Sequence, residues 1–384
     1  MKSNRARLLF LVVSVAALAS LRAVDSGTGR DPATKALSVF SEVFSLTRGN
    51  YVDPTEAKGL LEGAYDGMTD ALDPYSYYVP ASSMAAYRAQ QASGALSPGI
   101  LVARRGGFPY VVAALPGSPA QKAGVQTGDL INSVDGKNLR TAPLWKIRSA
   151  LEGPDGSTVE VGLFRIVEEK KISVRLRRER FTPPSVETRW ERDLAVVKVP
   201  AITPATAEAL SRAIEEANRR SIDKLVLDLR GAIGGEIADA APAASLFTGR
   251  GPVAKLVTRK VALKPLEATG ERMWKGRTII LMDDATGGPA EIFAAALKDR
   301  ADATTVGETT AGLAIVQRLV PTGSGGSLFM TVARYQSPSG ILLGGKGLSP
   351  DERVITFPGD SDGRAPILER GLEVARRGAA RQAA

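Results

Sequence analysis

The second half of the chain alternates short apolar runs with longer segments of helical period. The runs at 194–199, 224–229 and 278–282 are bounded by turn residues, which is typical of buried parallel strands. Between the first two runs, Thr203 is a good N-cap and Pro204 a good first residue for a helix over 204–218. Strand, helix and strand in this order predict a βαβ-type unit with a parallel sheet, and therefore an α/β core.

Two of these predicted strands end in a Gly-Gly turn that leads into a helix. Gly234-Gly235 precedes a helix over 238–247, which Pro242 interrupts or kinks, and Gly287-Gly288 precedes a helix that begins at Pro289. Both turns are expected near the same edge of the sheet. A strand, a tight glycine turn and a helix N-terminus present backbone N–H groups at one point, which is the geometry of a nucleophile elbow or an oxyanion site.

The predicted elbow lacks the groups that chemistry there would need. Glycines occupy the turn where a serine is expected, and Pro289 after it has no N–H to donate. The chain also has no His and no Cys, which excludes a Ser-His-Asp triad, a Cys-His dyad, a thiolate site and a His-ligated zinc site. A Ser-Lys or Thr-amine nucleophile, carboxylate acid/base chemistry and a carboxylate metal site remain.

Two of the remaining chemistries have candidate residues near the elbow. A relocated peptidase centre would use the nearest hydroxyls and amines, which are Thr286, Thr309, Thr310, Lys298 and Lys346. Turn and helix-surface roles explain all five. A metal site would use the nearby carboxylates Asp283, Asp284, Asp299 and Asp302. Successive strand residues point to opposite sides of a sheet, so we interpret the Asp pair as a solvated turn and predict no metal and no cofactor.

The first half of the chain predicts an export segment and a helical region. Residues 1–24 combine Lys2, Arg5 and Arg7 with an apolar run over 8–21, which indicates a signal peptide or an uncleaved anchor. The protein is then expected in the periplasm or cell envelope, either free or anchored to the inner membrane by this segment alone. Residues 31–94 follow, with apolar positions at helical spacing, and predict an N-terminal helical region.

Composition limits the partners. The formal charge of +9 falls to 9 − 4 = +5 without the four basic residues of the leader, and aromatic residues make up only 5%. A mildly basic surface with few stacking side chains argues against nucleic acid as a partner. Without Cys, neither a lipid-anchored lipoprotein nor a disulfide framework is available.

Residues 95–178 resemble a PDZ domain of the bacterial, circularly permuted kind in the order and spacing of the predicted elements. The resemblance implies a groove between a strand at 99–103 and a helix at 143–151, which takes an extended peptide as an added strand. The corresponding residues are Gly99, Ile100, Leu101, Leu144, Ile147 and Leu151. Pro98 removes one N–H from the loop that would hold a terminal carboxylate, so the three helix residues either capture apolar side chains or belong to the module's core.

The whole chain resembles the carboxyl-terminal processing peptidases, also called tail-specific proteases, over residues 35–375. The likeness depends on LVLDLRGAIGG at 225–235, EIFAAALKDRADATTVGETTAG at 291–312, VQ at 316–317, TVARYQSPSG at 331–340 and GKGLSPD at 345–351. It implies an α/β peptidase core over 185–355, related to crotonases and Clp peptidases, with the PDZ domain inserted ahead of it. Residues 356–384 would add a C-terminal helix and tail.

The resemblance also assigns catalytic positions. Members use a Ser nucleophile and a Lys base assisted by a Gln, and these positions are Gly288, Leu313 and Gln317 here. The two oxyanion donors are the N–H of the residue after the Ser, here Pro289, and one from Gly234 or Gly235. Nucleophile, base and one oxyanion donor are thus absent together, and Leu in place of Lys fills the pocket without burying a charge.

The sequence therefore predicts an exported PDZ-containing pseudopeptidase. It would bind polypeptides or protein C-termini without cleaving them, or regulate an active relative in a mixed oligomer, or associate with itself. The alternative is an active serine-type endopeptidase that cleaves near protein C-termini with relocated catalytic residues.

Overall fold

The computed structural model describes residues 32–259, 264–356 and 365–377. The predicted export segment at 1–24 and the residues after 377 lie outside these ranges. The chain divides into two compact units, residues 1–65 and 66–384. Within the described ranges, no helix combines the length and the hydropathy that crossing a bilayer requires.

The N-terminal region contains helices, as predicted, and one short strand that the sequence pattern did not predict. Helix α1 (Pro32–Asn50) and helix α2 (Ala57–Asp70) are separated by residues 51–56. A short buried strand, β1 (Tyr77–Val79), then precedes helix α3 (Ala81–Ala92). Three residues are too few to show an alternating pattern, although Tyr and Val favour strands.

The PDZ module, residues 95–178, is an antiparallel sheet in the order β2-β3-β4-β6-β7, with β5 paired to β4. Its strands and helices, in chain order, are β2 (Ile100–Arg105), β3 (Phe108–Ala114), α4 (Pro119–Lys122), β4 (Leu130–Val134), β5 (Lys137–Asn138), α5 (Leu144–Leu151), β6 (Thr158–Arg165) and β7 (Lys170–Arg177). Leu144, Ile147 and Leu151 of α5 recur at helical spacing and pack with Ile100 and Val102 of β2 in one apolar core.

A mainly parallel sheet forms the centre of the second half, as the βαβ pattern predicts. Its strands are β8 (Glu187–Trp190), β9 (Ala195–Lys198), β10 (Lys224–Asp228), β13 (Arg277–Met282), β14 (Thr304–Gly307) and β17 (Glu352–Arg353), in the spatial order β17-β14-β13-β10-β9-β8. Only the edge strand β8 is antiparallel to its neighbour in this sheet.

Helices cover both faces of this sheet. Helices α6 (Pro204–Arg219), α7 (Ala240–Thr248) and α8 (Pro289–Arg300) pack on one face, against side chains such as Val197 and Leu227. Helix α9 (Ala365–Arg377) packs on the other face, against Val226 and Leu281. Alternate residues of each strand point to opposite faces, so strands buried on both sides are apolar throughout.

A second sheet pairs β1 with strands of the second half of the chain. It has the order β1-β16-β11-β12, with β15 also paired to β16, and its further strands are β11 (Gly251–Thr258), β12 (Leu266–Ala268), β15 (Ile315–Pro321) and β16 (Ser327–Gln336). Segment 344–347 forms a turn. Gly345 and Gly347 adopt positive φ, and the Gly345 N–H donates to the Gly312 carbonyl.

One local prediction was wrong. Pro242 neither interrupts nor kinks the helix after Gly235, because a 3₁₀ turn at Ile237–Asp239 precedes α7 and places Pro242 in its first turn. N–H groups of the first turn have no acceptor within the helix, so a proline there removes no hydrogen bond.

Candidate functional site

Three loops meet at the carboxyl edge of the central sheet. They follow β10, β13 and β14, and include residues 229–235, 283–288 and 308–313. The Gly287 N–H donates to the Ala232 carbonyl over 2.9 Å, and the Ala311 N–H donates to the Thr286 carbonyl over 2.9 Å. The prediction that the two Gly-Gly turns lie at the same edge of the sheet is confirmed.

The second turn has the backbone of a nucleophile elbow. Gly288 is the N-cap of α8, with φ 63° and ψ −118°. A Cβ atom built on it would meet no heavy atom within 4 Å. A nucleophile elbow holds its Ser in a sharp, strained turn of this kind, so the space for such a side chain is present and Gly leaves it empty. Pro289, the first residue of α8, offers no N–H to this space.

Leu313 lies beside the elbow, at the position where the resemblance implies a Lys base. Its Cδ1 atom is 2.8 Å from where a Cβ of Gly287 would be, and Ile233 Cδ1 is 3.2 Å from the same point. We call the space bordered by Ile233, Gly288 and Leu313 the elbow cleft. Gln317 lies four residues further along, on β15, and its Nε2 is buried with no hydrogen-bond partner among the described residues.

The first Gly-Gly turn needs glycine for two different reasons. Gly234 (φ +100°) and Gly235 (φ +89°) both adopt positive φ, which disfavours other residues. A Cβ on Gly235 would lie 1.6 Å from the Ile202 carbonyl oxygen, whereas a Cβ on Gly234 would meet nothing within 4 Å. Gly235 is therefore fixed by close packing, and Gly234 only by its backbone conformation.

Glu291 connects the elbow to the loop that carries Leu313. Its fully buried carboxylate accepts hydrogen bonds from the N–H groups of Gly288 (2.9 Å), Gly312 (2.6 Å) and Leu313 (2.7 Å), and from the Thr310 hydroxyl (2.5 Å). The sequence analysis did not identify this role, although a Glu three residues after a helix N-cap is the spacing of a capping box. Four donors on one carboxylate fix the relative positions of residues 288 and 313.

The Glu291 carboxyl makes stability depend on pH. Burial raises its pKa from 4.5 to about 7, against the opposing effect of the four hydrogen bonds. The folded protein then holds the proton more tightly than the unfolded chain, so the stability contributed is complete below pH about 4.5 and is lost as the pH rises through about 7.

We expect the free energy of unfolding of the wild type, relative to Glu291→Gln, to fall by about 3 kcal/mol between pH 4.5 and pH 8. The Gln variant cannot titrate at this position, so the difference isolates residue 291. Urea titrations at several pH values would measure it. A difference that grows with pH would mean that the four hydrogen bonds, and not burial, set the pKa.

The PDZ module covers the elbow cleft. Leu101, Ala113 and Leu115 of the module form one apolar cluster with Ala285 and with the two side chains that border the cleft, Ile233 and Leu313. A neighbouring cluster joins Ala103 and Val112 of the module to Tyr75, Ala311, Leu313 and Ile315. Leu313 belongs to both clusters, so the residue at the base position is also the residue that the PDZ sheet contacts. No local pattern of residues predicts this contact, because its partners are distant in the chain.

The residues predicted to bind peptide are largely internal. Leu144, Ile147 and Leu151 are at most 2% exposed, and Ile100 is 7% exposed, whereas Leu101 faces the elbow cleft. The Gly99 N–H donates to the Ser97 Oγ over 3.1 Å. Capture of peptide side chains by α5 stays a prediction, and it requires these side chains to leave the core that they share with β2.

The hydroxyls and amines proposed for a relocated centre have structural partners or lie on the surface. The Thr286 hydroxyl is buried, donates to the Leu229 carbonyl and accepts the Asp283 N–H. The Thr310 hydroxyl bonds Glu291 and accepts the Leu348 N–H. Lys298 forms an ion pair with Asp351 at 2.6 Å, and Thr309 and Lys346 are exposed.

The carboxylates proposed for a metal site do not converge. Asp283 is buried and accepts the Gly231 and Ala285 N–H groups, whereas Asp284 is exposed. Asp299 accepts the Ser339 N–H, and Asp302 occupies a positive-φ turn position. Over the described ranges, no group of three or more acidic side chains is arranged to hold a metal ion. Asp284 fits the predicted solvated turn, whereas that prediction was wrong for Asp283, because its buried carboxylate accepts backbone N–H groups instead of facing solvent.

Three models of known protein families match successive parts of the chain. The family model described as peptidase family S41 matches residues 193–354, a PDZ domain model matches residues 110–165, and a model described as the activating protease CtpB N-terminal domain matches residues 13–83. These three matches follow the order of the N-terminal region, the PDZ module and the core.

Individual relatives match over most of their length. A carboxy-terminal-processing protease of Bartonella bacilliformis is 30% identical over 354 residues, which are 90% of this chain and 82% of the relative. The carboxy-terminal processing protease CtpA of Bacillus subtilis is 27% identical over an aligned region that covers 91% of this chain and 77% of that relative. Among solved structures, the photosystem II D1 C-terminal processing protease aligns with a TM-score of 0.63 and 25% identity, over 84% of this chain and 95% of that one.

Proposed function

From the premise that this chain belongs to peptidase family S41, we propose that it is a noncatalytic member, which binds polypeptide without cleaving it. One observation carries the proposal. The elbow position is Gly288 and the position implied for the base is Leu313, so these two positions supply neither a nucleophilic oxygen nor a side chain able to accept its proton. Pro289 cannot supply an oxyanion N–H, and loss of one such donor alone costs about 10²–10³ in rate.

The surroundings of the cleft support the proposal. Thr286 carries the hydroxyl nearest to Gly288 in sequence, and this buried hydroxyl is engaged in hydrogen bonds with the Leu229 carbonyl and the Asp283 N–H. The side chains clustered with Leu313 around Ile233 and Ala285 are apolar, so they supply no group that could activate water for the hydrolysis of an acyl intermediate.

Polypeptide is the ligand class that the domain composition supports. The chain has a PDZ domain, a fold that binds extended peptides and protein C-termini by strand addition, and its relatives are named as C-terminal processing proteases. We further propose that residues 1–24 direct the protein to the periplasm or cell envelope. A mixed oligomer with an active relative would be a second route by which such a protein regulates proteolysis.

The binding experiment uses residues 25–384 and a fluorescent, unfolded polypeptide with an apolar C-terminus. Gel filtration followed by mass spectrometry reads the retained complex and the polypeptide mass together. We expect a complex with polypeptide of unchanged mass. An identical polypeptide with an amidated C-terminus tests terminal-carboxylate recognition, because amidation removes only the charge that a PDZ loop would hold. Lack of any retained polypeptide, with both probes, would contradict a binding role.

A further inference from the structure

We propose that Leu313 is the centre of an apolar joint that fixes the PDZ module over the elbow cleft in a single position, with or without polypeptide. This inference rests on the proposed function, because an enzyme must admit substrate to its cleft whereas a noncatalytic chain need not. It assigns to Leu313 a positive structural role in addition to the loss of a base.

The contacts of Leu313 carry the argument. Its side chain lies in two clusters that share no other residue of the core, one with Ile233 and Ala285 and one with Ala311 and Ile315. Both clusters are completed by the PDZ module, through β2 and β3 and the residue after β3. Leu313 therefore connects the two core loops that carry Ile233 and Ala285 with the PDZ sheet.

The chemistry of the joint explains why it would hold. Leu101, Ala113 and Leu115 bring only apolar atoms to Leu313, so separation of the module would expose apolar surface on both sides. A Lys at 313 would place an ammonium group among these side chains, and an unpaired charge there is costly. Leu therefore favours the closed position, and Lys would oppose it.

Glu291 fixes the backbone on the core side of the joint. It accepts the Leu313 N–H over 2.7 Å and the Gly288 N–H over 2.9 Å, which holds the backbone of residue 313 against the elbow. The packing of Gly312 against the turn at 344–347 limits the same loop from the other side. The core half of the joint is thus held by hydrogen bonds and packing within the core itself.

A distance measurement tests the proposal directly. The chain has no Cys, so Lys171→Cys on the PDZ module and Glu208→Cys on α6, both at exposed positions, accept one spin label each. Double electron–electron resonance on residues 25–384 should give one narrow distance population, unchanged by a saturating unfolded polypeptide. Leu313→Lys should add a second population of at least about 10%, and Leu313→Met should not.

Two populations in the wild type, or a shift when polypeptide is added, would overturn the joint. So would a Leu313→Lys variant that is folded and keeps one population. If that variant does not fold, Leu101→Asn replaces it, because this substitution places a polar group in the same cluster from the PDZ side. The distance distribution of the wild type tests the single position of the module without either variant. Polypeptide cleavage by the wild type would refute the proposed function, whereas a second distance population without cleavage would refute only the joint.

Discussion

Replacement of Gly288 by Ser together with Leu313 by Lys is expected to give this chain reactivity toward a fluorophosphonate probe, whereas we expect none from the wild type. The backbone of residue 288 already has φ 63° and ψ −118°, and the space for its side chain is open. A Ser at this φ costs about 1–3 kcal/mol of strain, which the surrounding hydrogen bonds can hold. The N–H groups of residues 288 and 313 both donate to Glu291 Oε2, so a Lys at 313 begins close to the elbow and is expected to reach the hydroxyl.

The increase in labelling rate shows how much each restored group contributes. General-base assistance is worth about 10²–10⁴, so the double variant should label at least about 100-fold faster than Gly288→Ser alone. Addition of Pro289→Ala restores a backbone N–H at the oxyanion position and should add a further factor of about 10²–10³. Gly288→Ala with Leu313→Lys is the matched control and should not label. Equal labelling of the double variant and this control would mean that residue 288 does not occupy the elbow.

Gly235→Ala should prevent stable folding, whereas Gly234→Ala should only weaken it. The added Cβ of residue 235 would overlap the Ile202 carbonyl at 1.6 Å, so the backbone between β9 and α6 or the loop after β10 has to move. Residue 234 has a similar φ but an open surrounding, so its cost is strain alone, about 1–3 kcal/mol.

We expect the Gly235 variant to lose more than about 4 kcal/mol, a large part of the stability of an ordinary domain. Urea unfolding followed by circular dichroism compares both variants with the wild type on one scale. Equal losses for the two variants would show that φ alone, and not the contact with Ile202, requires glycine at this turn.

The sequence predicted the parts of the site that depend on chain order. Apolar runs, caps and Gly-Gly turns place Gly234, Gly235 and Gly288 after parallel strands, and parallel strands bring their carboxyl ends together. The position of Leu313 followed from the family resemblance. Its place beside the elbow is seen in the structure, where the N–H groups of residues 288 and 313 both donate to Glu291 Oε2.

The remaining features depend on tertiary packing that no local pattern encodes. Glu291 was visible as a first-turn acidic residue, but its bonds to Gly312 and Leu313 require the fold. The sequence pattern around Leu101 and Leu115 predicts only apolar positions of a β-rich module. The packing of that module on the core shows that these two side chains face the elbow cleft. Likewise, the burial of Ile147 reflects a core completed by residues distant in sequence, including Tyr77.

Incubation of purified residues 25–384 with an unfolded polypeptide and, in parallel, with the fluorophosphonate probe tests the central claim, that this chain is noncatalytic. Mass spectrometry reads the polypeptide and the protein in both reactions. We predict polypeptide of unchanged mass and protein without adduct, whereas Gly288→Ser with Leu313→Lys gains the adduct under the same conditions. Wild-type cleavage that persists through repurification and disappears in Thr286→Val would contradict the account and place a catalytic hydroxyl at Thr286.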